Sequence, residues 1–479
     1  MPSQSDSMSD RSLRWPDFLV RGLSTAKGSR RVLLMVALTV FALAAWHAGQ
    51  TYFRSDEWAY WTFRRDLLNA GGLENLGHFF FSPHGGSPDG GAIPAGLMLI
   101  WLPLDLVFGM HSYLPYALPS ALLHAAAGIL LFELLVRRLR PVVALVASSL
   151  FLMMGNAASG IAFGWLVNFI GPLAILFAAL YAFVRLEGRH DRALTWITLG
   201  SVLISIGFGA VGFVVAAVVA SAYSMRQRFL IAAVHLAAVI GIFGVWRAVY
   251  EPPGVSAQLG DSARYLEFMW RGLTTATGDL VGIPWMPVGA LMLLAAGVGA
   301  VWSWLERDPS VVVNVPTFIG AGVFYGMVAV RGVDLRTDSF SYDQDRYLYI
   351  AAALLLPSLA WVVNRVISIR SWVMVPVMLL VLWAAPLNLL QAMDSYDTLV
   401  ELGQTNRVTI ETAASLVGHL DPLESGFLVA DRSARFTVEQ FERLDEQGKV
   451  PCVADFDLAV AFAQEQGMPT PTVDQVSCY

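Results

Sequence analysis

Charged residues are scarce in this chain of 479 residues. Only 14% of the residues are Asp, Glu, Lys or Arg, 56% are hydrophobic, and the mean hydropathy is +0.58. A soluble globule of this length would leave large apolar surfaces in contact with water at that composition. The scarcity of charge excludes a soluble protein and predicts an integral membrane protein that crosses the bilayer several times.

Motifs for binding a soluble nucleotide are absent as well. This absence favours a lipid-linked substrate over a nucleotide-linked one, and no nucleic-acid partner is expected. A small-residue cleavage pattern is missing after Trp46-His47, so the first apolar run is an anchor and not a removable signal peptide.

Long uncharged runs are what the sequence has in abundance. The first, 32–53, is long enough at about 1.5 Å per residue to cross a hydrocarbon core of roughly 30 Å. Ten further runs bring the expected number of spans to about eleven. They lie near 115–136, 141–155, 164–184, 193–208, 209–224, 229–246, 284–305, 315–330, 347–363 and 371–392.

Basic residues between the runs predict the orientation, because loops rich in Lys and Arg remain in the cytoplasm. The basic sites are Arg30-Arg31, Arg137 to Arg140, Arg185 to Arg192, Arg226 to Arg228, Arg307 and Arg365 to Arg370. The N-terminus is then cytoplasmic and the C-terminus extracytoplasmic. The outward segments are 51–114, 156–163, 247–283, 331–346 and the chain after 393.

One apolar stretch, Pro94 to Met110, does not fit this count. It is short and carries Asp105. If it crossed the membrane, the basic loops at 137–140 and 185–192 would lie on the wrong face. We therefore expect an interfacial or re-entrant helix on the outer side, with an ordinary short span as the alternative.

The chain divides into three parts. Residues 1–31 form a basic cytoplasmic tail, and 32–392 form the membrane domain. Residues 393–479 form an acidic extracytoplasmic domain, since 394–479 hold about fifteen acids and five bases. Helical periodicity at 398–420 and a strand pattern at 426–430 predict a small α/β appendage. Cys452 and Cys478, the only cysteines, could form a disulfide there.

The string Ser-Asp-Glu-Trp-Ala-Tyr-Trp, residues 55–61, follows the first span directly. Two carboxylates held where a membrane helix emerges into water suit acid–base chemistry on a membrane-bound substrate. Downstream in the same loop, His78 and His84 lie six residues apart in a Gly-rich stretch, where they could bind phosphate or a metal.

These features resemble the GT-C membrane glycosyltransferases, the class that contains protein mannosyltransferases and aminoarabinose transferases. The resemblance is carried by the Asp-Glu-x-x-Tyr pattern that ends at Tyr60, an amphipathic Pro-rich helix ending at Phe108-Gly109, an Arg-rich turn at Arg137-Arg138, and the element Asp345-Arg346-Tyr347-Leu348-Tyr349. It covers roughly residues 32–392 and implies an all-helical polytopic fold with outer-face interfacial helices.

The resemblance implies transfer of a hexose or pentose from a polyprenyl-phosphate donor to an extracytoplasmic glycan, lipid or protein. Asp56 matches the first acid of the pattern and would be the base that activates the acceptor, with inversion at the anomeric carbon. Glu57 would hold the sugar, bind a metal or cap its segment, and Mg²⁺ or Mn²⁺ is possible although no metal-binding residue is assigned.

A departing phosphate needs cationic donors, for which arginine is well suited. Arg346 is the first candidate, and the other expected substrate-binding residues are Tyr60, Arg64, His78, His84, Arg336 and Tyr347.

Two other classes of function remain as alternatives. A lipid or glycan transporter or flippase usually carries ionisable residues within its spans and often has internal repeats, and this sequence shows almost none of the former and no convincing case of the latter. A non-catalytic cell-envelope assembly protein would use its acidic tail to bind a partner.

Overall fold

The computed structural model describes residues 25–54, 57–58, 60–83, 93–186, 188, 190–250, 262–283, 285–334 and 344–416, with a few positions beyond. The described helices, in chain order, are α1 Ala26–Ala48, α2 Arg65–Ala70, α3 Gly72–Phe81, α4 Ala95–Phe108, α5 Leu114–Leu135, α6 Pro141–Leu152, α7 Ala158–Ile161, α8 Val167–Leu186, α9 Asp191–Ile206, α10 Val211–Met225, α11 Phe229–Tyr250, α12 Ser262–Asp279, α13 Met286–Leu305, α14 Val311–Asp334, α15 Asp345–Ile369 and α16 Met374–Leu416.

Local sequence signals account for several helix ends. The Thr25 hydroxyl accepts a hydrogen bond from the Gly28 amide at 3.0 Å and so caps α1. Pro141 occupies the first turn of α6, where its missing N–H costs nothing. Helix α4 ends at Gly109, whose φ of +53° is a conformation that glycine adopts readily.

Eight helices of the described chain are long and apolar enough to cross a membrane, which confirms a multi-pass membrane protein. They coincide with eight of the eleven expected runs. The other three runs, 141–155, 193–208 and 209–224, form the shorter helices α6, α9 and α10. The total of eleven spans therefore stays a prediction.

Helix α4 occupies the stretch expected at the interface. Its 14 residues are about 21 Å long, less than the roughly 30 Å of a hydrocarbon core, and Pro103 lies inside it. Asp105 is fully buried and forms an ion pair with Arg65 of α2. The length is consistent with an interfacial or re-entrant helix.

Helix α15 lies at the centre of the membrane domain. Every residue from Tyr347 to Trp361 is buried, so this helix is covered on all sides. Helices α6, α12, α13 and α14 all pack against it. The neighbouring helices therefore cover every face of α15, as is typical of a helix that is apolar all round.

Two histidines within the spans form hydrogen bonds with neighbouring helices. The rings of His124 and Tyr349 are joined by a hydrogen bond of 2.9 Å from Nδ1 to the phenol oxygen. His235 Nε2 lies 3.0 Å from the Thr198 hydroxyl. Polar groups at membrane depth are stabilised by such pairing.

Helix α16 runs without interruption from the last span to Leu416, across the expected domain boundary at 392/393. Beyond the span it packs against the strand-like segment that follows α1. The Thr51 hydroxyl donates to the Leu399 carbonyl at 2.8 Å, and the Asn406 amide donates to the Phe53 carbonyl at 3.0 Å. The contact is so close that a Cβ at Gly403 would lie 2.0 Å from Thr51 Oγ1.

Little of the appendage lies within the described residues. Phe427–Leu428 and Arg435–Phe436 form antiparallel strands β1 and β2, with Phe427 opposite Phe436. The first strand falls inside the segment where a strand was expected. Cys452 and Cys478 lie outside the described residues, and the α/β domain as a whole stays a prediction.

We expect Gly403→Ala to destabilise the protein by about 1–3 kcal/mol, because the added methyl group overpacks the contact with Thr51. The melting temperature of the purified protein in detergent measures this effect. Gly244→Ala in α11 is the matched control, because nothing lies within 4 Å of a Cβ there. Equal melting temperatures for both variants would contradict the close packing of α16 on this segment.

Candidate active site

An irregular segment, 153–166, joins α6 to α8 at one end of the membrane domain. It consists of a 3-10 turn at Gly155–Ala157, the single turn α7, and a second 3-10 turn at Gly164–Leu166. The expected tight turn at 156–163 is thus a longer folded segment. Helix α6 has only 12 residues, so it ends after about 18 Å. Within the hydrocarbon core of a membrane, irregular backbone occurs only where protein covers it or where it lines a cavity.

Glu57 anchors this segment to the chain that follows α1. Its carboxylate accepts hydrogen bonds from the Tyr113 hydroxyl at 2.7 Å, the Trp165 amide at 3.2 Å and the Arg54 amide at 3.0 Å. The Tyr113 oxygen also accepts from the Gly164 amide at 2.8 Å. One fully buried carboxyl group therefore joins three distant parts of the sequence. Of the roles expected for Glu57, these contacts correspond to holding its own segment.

Burial raises the pKa of the Glu57 carboxyl to about 8, although its hydrogen bonds and the charge of Arg54 act in the opposite direction. Burial therefore favours the protonated, neutral form of this group at neutral pH.

Arg54 and the start of α15 meet at Ser159. The Arg54 guanidinium donates to the Ser159 carbonyl at 3.0 Å and lies 4.4 Å from the centre of the Phe163 ring. The Ser159 hydroxyl donates to the Asp345 carboxylate at 2.9 Å. The next residue, Arg346, stacks its guanidinium 5.1 Å from the Tyr347 ring centre. We call Arg54, Ser159, Asp345 and Arg346 the outer polar cluster.

A small cavity of about 10 Å³ adjoins the cluster, enough for roughly one water molecule. Asp345, Arg346 and Tyr349 line one side, and Ala157 and Gly160 of the irregular segment line the other. Two expected substrate-binding residues, Arg346 and Tyr347, are adjacent here, although Tyr347 itself is buried.

Arg64 has a structural role in the described contacts. Its side chain is fully buried and donates to the backbone carbonyls of His78, Phe79, Ser82 and Pro83, at the C-terminal end of α3. The last carbonyl groups of a helix lack hydrogen-bond donors within the helix, and the Arg64 guanidinium supplies donors to them. Burial lowers the pKa of Arg64 to about 10, so it stays charged at neutral pH. Its contact with substrate stays a prediction.

Tyr60 and His78 are also engaged within the protein. The fully buried Tyr60 donates to the Asp105 carboxylate at 3.1 Å, beside the Arg65 ion pair. His78 Nδ1 lies 2.9 Å from the Ser82 hydroxyl, and its ring makes an edge contact with Tyr250 at 5.5 Å. Their roles in substrate binding stay predictions as well.

Asp56, His84 and Arg336 lie outside the described residues. Among the residues that are described, no group of three His, Cys, Asp or Glu side chains is arranged to hold a metal ion. The expected dependence on Mg²⁺ or Mn²⁺ stays untested.

Sequence reasoning named Asp345 only as part of the element 345–349 and missed its hydrogen bond with Ser159, and it also missed the pairing of Arg65 with Asp105. The pairing had a detectable signal, since an acid within an apolar helix requires a partner. Asp345 stands directly before Arg346 at the start of a span, where an acid also interacts favourably with the helix dipole.

The chain has the fold of the GT-C polytopic membrane glycosyltransferases. Among solved structures it is similar to ArnT from Cupriavidus metallidurans bound to undecaprenyl phosphate, with a TM-score of 0.50 and 13% identity over 94% of this chain and 90% of that one. This result confirms the fold that the sequence resemblance implied.

Two archaeal structures are similar to this chain over only part of their own length. The Archaeoglobus fulgidus oligosaccharyltransferase in complex with Zn and sulfate has a TM-score of 0.46 and 13% identity, over 85% of this chain and 58% of that one. The oligosaccharyltransferase AglB of Archaeoglobus fulgidus, in complex with an inhibitory peptide and a dolichol-phosphate, has a TM-score of 0.47 and 12% identity, over 92% and 61%. No family model and no curated protein sequence matches the chain.

The raised pKa of Glu57 predicts a pH-dependent stability. Between about pH 4.5 and 8 the folded protein retains a proton that the unfolded chain releases, so stability falls as pH rises through this window and levels off above it. Glu57→Gln cannot titrate, and its melting temperature should decline less than that of the wild type between pH 5 and 8. Glu267→Gln, at an exposed ion pair, should follow the wild type. Parallel curves for all three proteins would contradict the raised pKa.

Proposed function

We propose that this protein transfers a sugar from a polyprenyl-phosphate-linked donor to an extracytoplasmic acceptor. The observation that carries the proposal is the outer polar cluster, built on a fold that matches a GT-C structure over nearly its whole length. The N-terminus would be cytoplasmic and the C-terminus extracytoplasmic. The cluster would then lie on the side where transfer takes place.

The donor's phosphate would be held by Arg346, with Arg54 as the second cation. When the glycosidic bond breaks, negative charge develops on the leaving phosphate, and fixed cationic donors stabilise it best in a site of low dielectric constant. Asp345 contributes by bonding to Ser159, which ties the start of α15 to the irregular segment and so limits the movement of Arg346.

The acceptor hydroxyl would be activated by Asp56. The acceptor oxygen attacks the anomeric carbon while its proton passes to the carboxylate, and the bond between that carbon and the phosphate oxygen breaks. A single displacement of this kind inverts the anomeric centre. Asp56 is the neighbour in sequence of Glu57, whose carboxyl is anchored on the irregular segment. We therefore assign chemistry to the first acid and positioning to the second.

A transporter is the second candidate, because a short helix followed by irregular backbone also occurs in transporters at the substrate site. The short helix α6 and segment 153–166 form such an interruption. The two functions differ in their product, since only a transferase makes a new glycosidic bond.

We expect Asp56→Asn to abolish the addition of one defined sugar. Glycans and glycolipids of the cell envelope are compared by mass spectrometry between cells that make the wild type, Asp56→Asn and the nearby control Asp66→Asn at equal abundance. The control should retain the sugar. If deletion of the gene removes the sugar but Asp56→Asn does not, Asp56 is not the base. If even deletion changes no glycan, the transferase proposal fails and transport is favoured.

Arg346→Gln should lower the transfer rate by roughly 10²–10³-fold, the effect of losing one donor that stabilises developing charge. Arg346→Lys should recover part of the rate, because it keeps the charge but not the planar pair of donors. Rates are measured in purified membranes by the appearance of the glycosylated product. Arg271→Gln, which changes an exposed ion pair, serves as the control. A rate for Arg346→Gln equal to that of the control would exclude a role for Arg346 in the reaction.

A further inference from the structure

Buried polar side chains hold the irregular segment 153–166 at both of its ends. At the end nearest α8 the anchor is Glu57, which accepts a hydrogen bond from the Trp165 amide. At the other end Asn388 of α16 approaches the first 3-10 turn, and its Oδ1 accepts a hydrogen bond from the Gly155 amide at 2.9 Å. Asn388 has no exposed surface. Both anchors bind backbone amides, so they fix the course of the main chain itself.

The partners of the Asn388 amide determine its orientation. Gly155 offers an N–H, which requires an oxygen acceptor, whereas Leu280 and Ala384 offer carbonyl groups, which require an N–H donor. Nδ2 lies 3.3 Å from the Leu280 carbonyl oxygen and 3.0 Å from that of Ala384. A flipped amide would break all three bonds. One side chain therefore joins α16 to the turn after α12 and to the irregular segment.

The main chains come very close together around Asn388. A Cβ at Gly155 would lie 2.5 Å from the Asn388 carbonyl oxygen and 2.6 Å from Gln391 Cβ. Gly282 has a φ of +67°, and a Cβ there would lie 2.9 Å from Leu387 Cβ. Only glycine allows so close an approach of two backbones. Helix α16 therefore packs directly on the irregular segment and on the turn after α12.

The first 3-10 turn leads directly to the outer polar cluster. Ser159 follows Gly155 by four residues, and the chain between them forms the turn and the start of α7. The Ser159 hydroxyl donates to the carboxylate of Asp345, the neighbour in sequence of Arg346. Ala157, within the turn, lines the small cavity beside these two residues. A displacement of the turn would therefore move both Ser159 and the cavity wall.

We propose that Asn388 is a positioning residue for sugar transfer. It holds the first 3-10 turn in place, and through this turn it keeps the Ser159 hydroxyl and the cavity wall fixed beside Arg346. The described residues that line the cavity do not include Asn388, so it acts through the backbone and not by contact with the donor. This inference rests on the proposed function, since it takes the donor phosphate to lie at Arg346.

The first test replaces Asn388 by leucine, which has a similar volume and no hydrogen-bonding atom. The transfer rate should fall by about 10- to 100-fold, because a misplacement of about 1 Å at a reacting site can cost about 10²-fold. Rates are measured in purified membranes, as the appearance of the sugar-bearing product that deletion of the gene removes.

Asn364→Leu is the control that matches the chemistry of this change. Asn364 of α15 also accepts a hydrogen bond from a backbone amide, that of Arg140 at 3.0 Å, outside the irregular segment. This variant should keep the wild-type rate. Melting temperatures in detergent show that each protein is folded. If folded Asn388→Leu is as fast as Asn364→Leu, the positioning role is excluded.

Asn388→Asp is the conservative variant. It keeps an oxygen acceptor for the Gly155 amide and loses the N–H donors to Leu280 and Ala384. Its rate should lie between those of the wild type and Asn388→Leu. If Asn388→Leu does not fold, Asn388→Asp takes its place in every comparison, with a smaller expected loss.

A double variant separates positioning from a general loosening of the structure. Ser159→Ala removes the hydroxyl through which the segment bonds to Asp345. If Asn388 acts through this bond, Asn388→Leu combined with Ser159→Ala should be no slower than the slower of the two single variants. Two losses that multiply would show independent effects and would overturn the proposal.

The same measurements distinguish this inference from the proposed function. If deletion of the gene removes a sugar and Arg346→Gln slows its transfer, but Asn388→Leu does not, the proposed function stands and the positioning role is excluded. If deletion removes no sugar, the proposed function fails and this inference fails with it.

Discussion

The packing around the candidate site depends on the buried carboxyl of Glu57. It accepts hydrogen bonds from Arg54, Tyr113 and Trp165, which belong to the segment after α1, the start of α5 and the irregular segment before α8. A buried carboxyl group without such donors would be strongly unfavourable. The same three bonds therefore satisfy Glu57 and hold in place the backbone on which the outer polar cluster is built.

The sequence predicted the elements better than it predicted their contacts. Runs of apolar residues carry the spans, because a bilayer of fixed thickness requires a minimum length, and eight expected runs became helices that meet it. The runs at 141–155, 193–208 and 209–224 formed the shorter helices α6, α9 and α10. Length along the chain does not reveal how much of a crossing is completed by irregular backbone.

Residue chemistry alone could not separate an arginine engaged with the backbone from one that lines a cavity. Arg64 and Arg346 are both arginines near a membrane surface, yet Arg64 is fully buried against backbone carbonyls while Arg346 lines a cavity. The difference arises from α3, which ends where its carbonyls meet the Arg64 guanidinium. Such a contact joins residues that are well separated along the chain, and a single sequence does not indicate it.

The unbroken helix α16 connects the last span mechanically to the segment that follows α1. A helix of 43 residues is about 65 Å long and transmits force along its axis, with only Pro386 as a point of weakness. Its contacts with Thr51 and Phe53 lie beyond that proline, on the same continuous helix. A force applied at the C-terminal end of α16 would therefore reach the segment that follows α1 directly, through the helix itself.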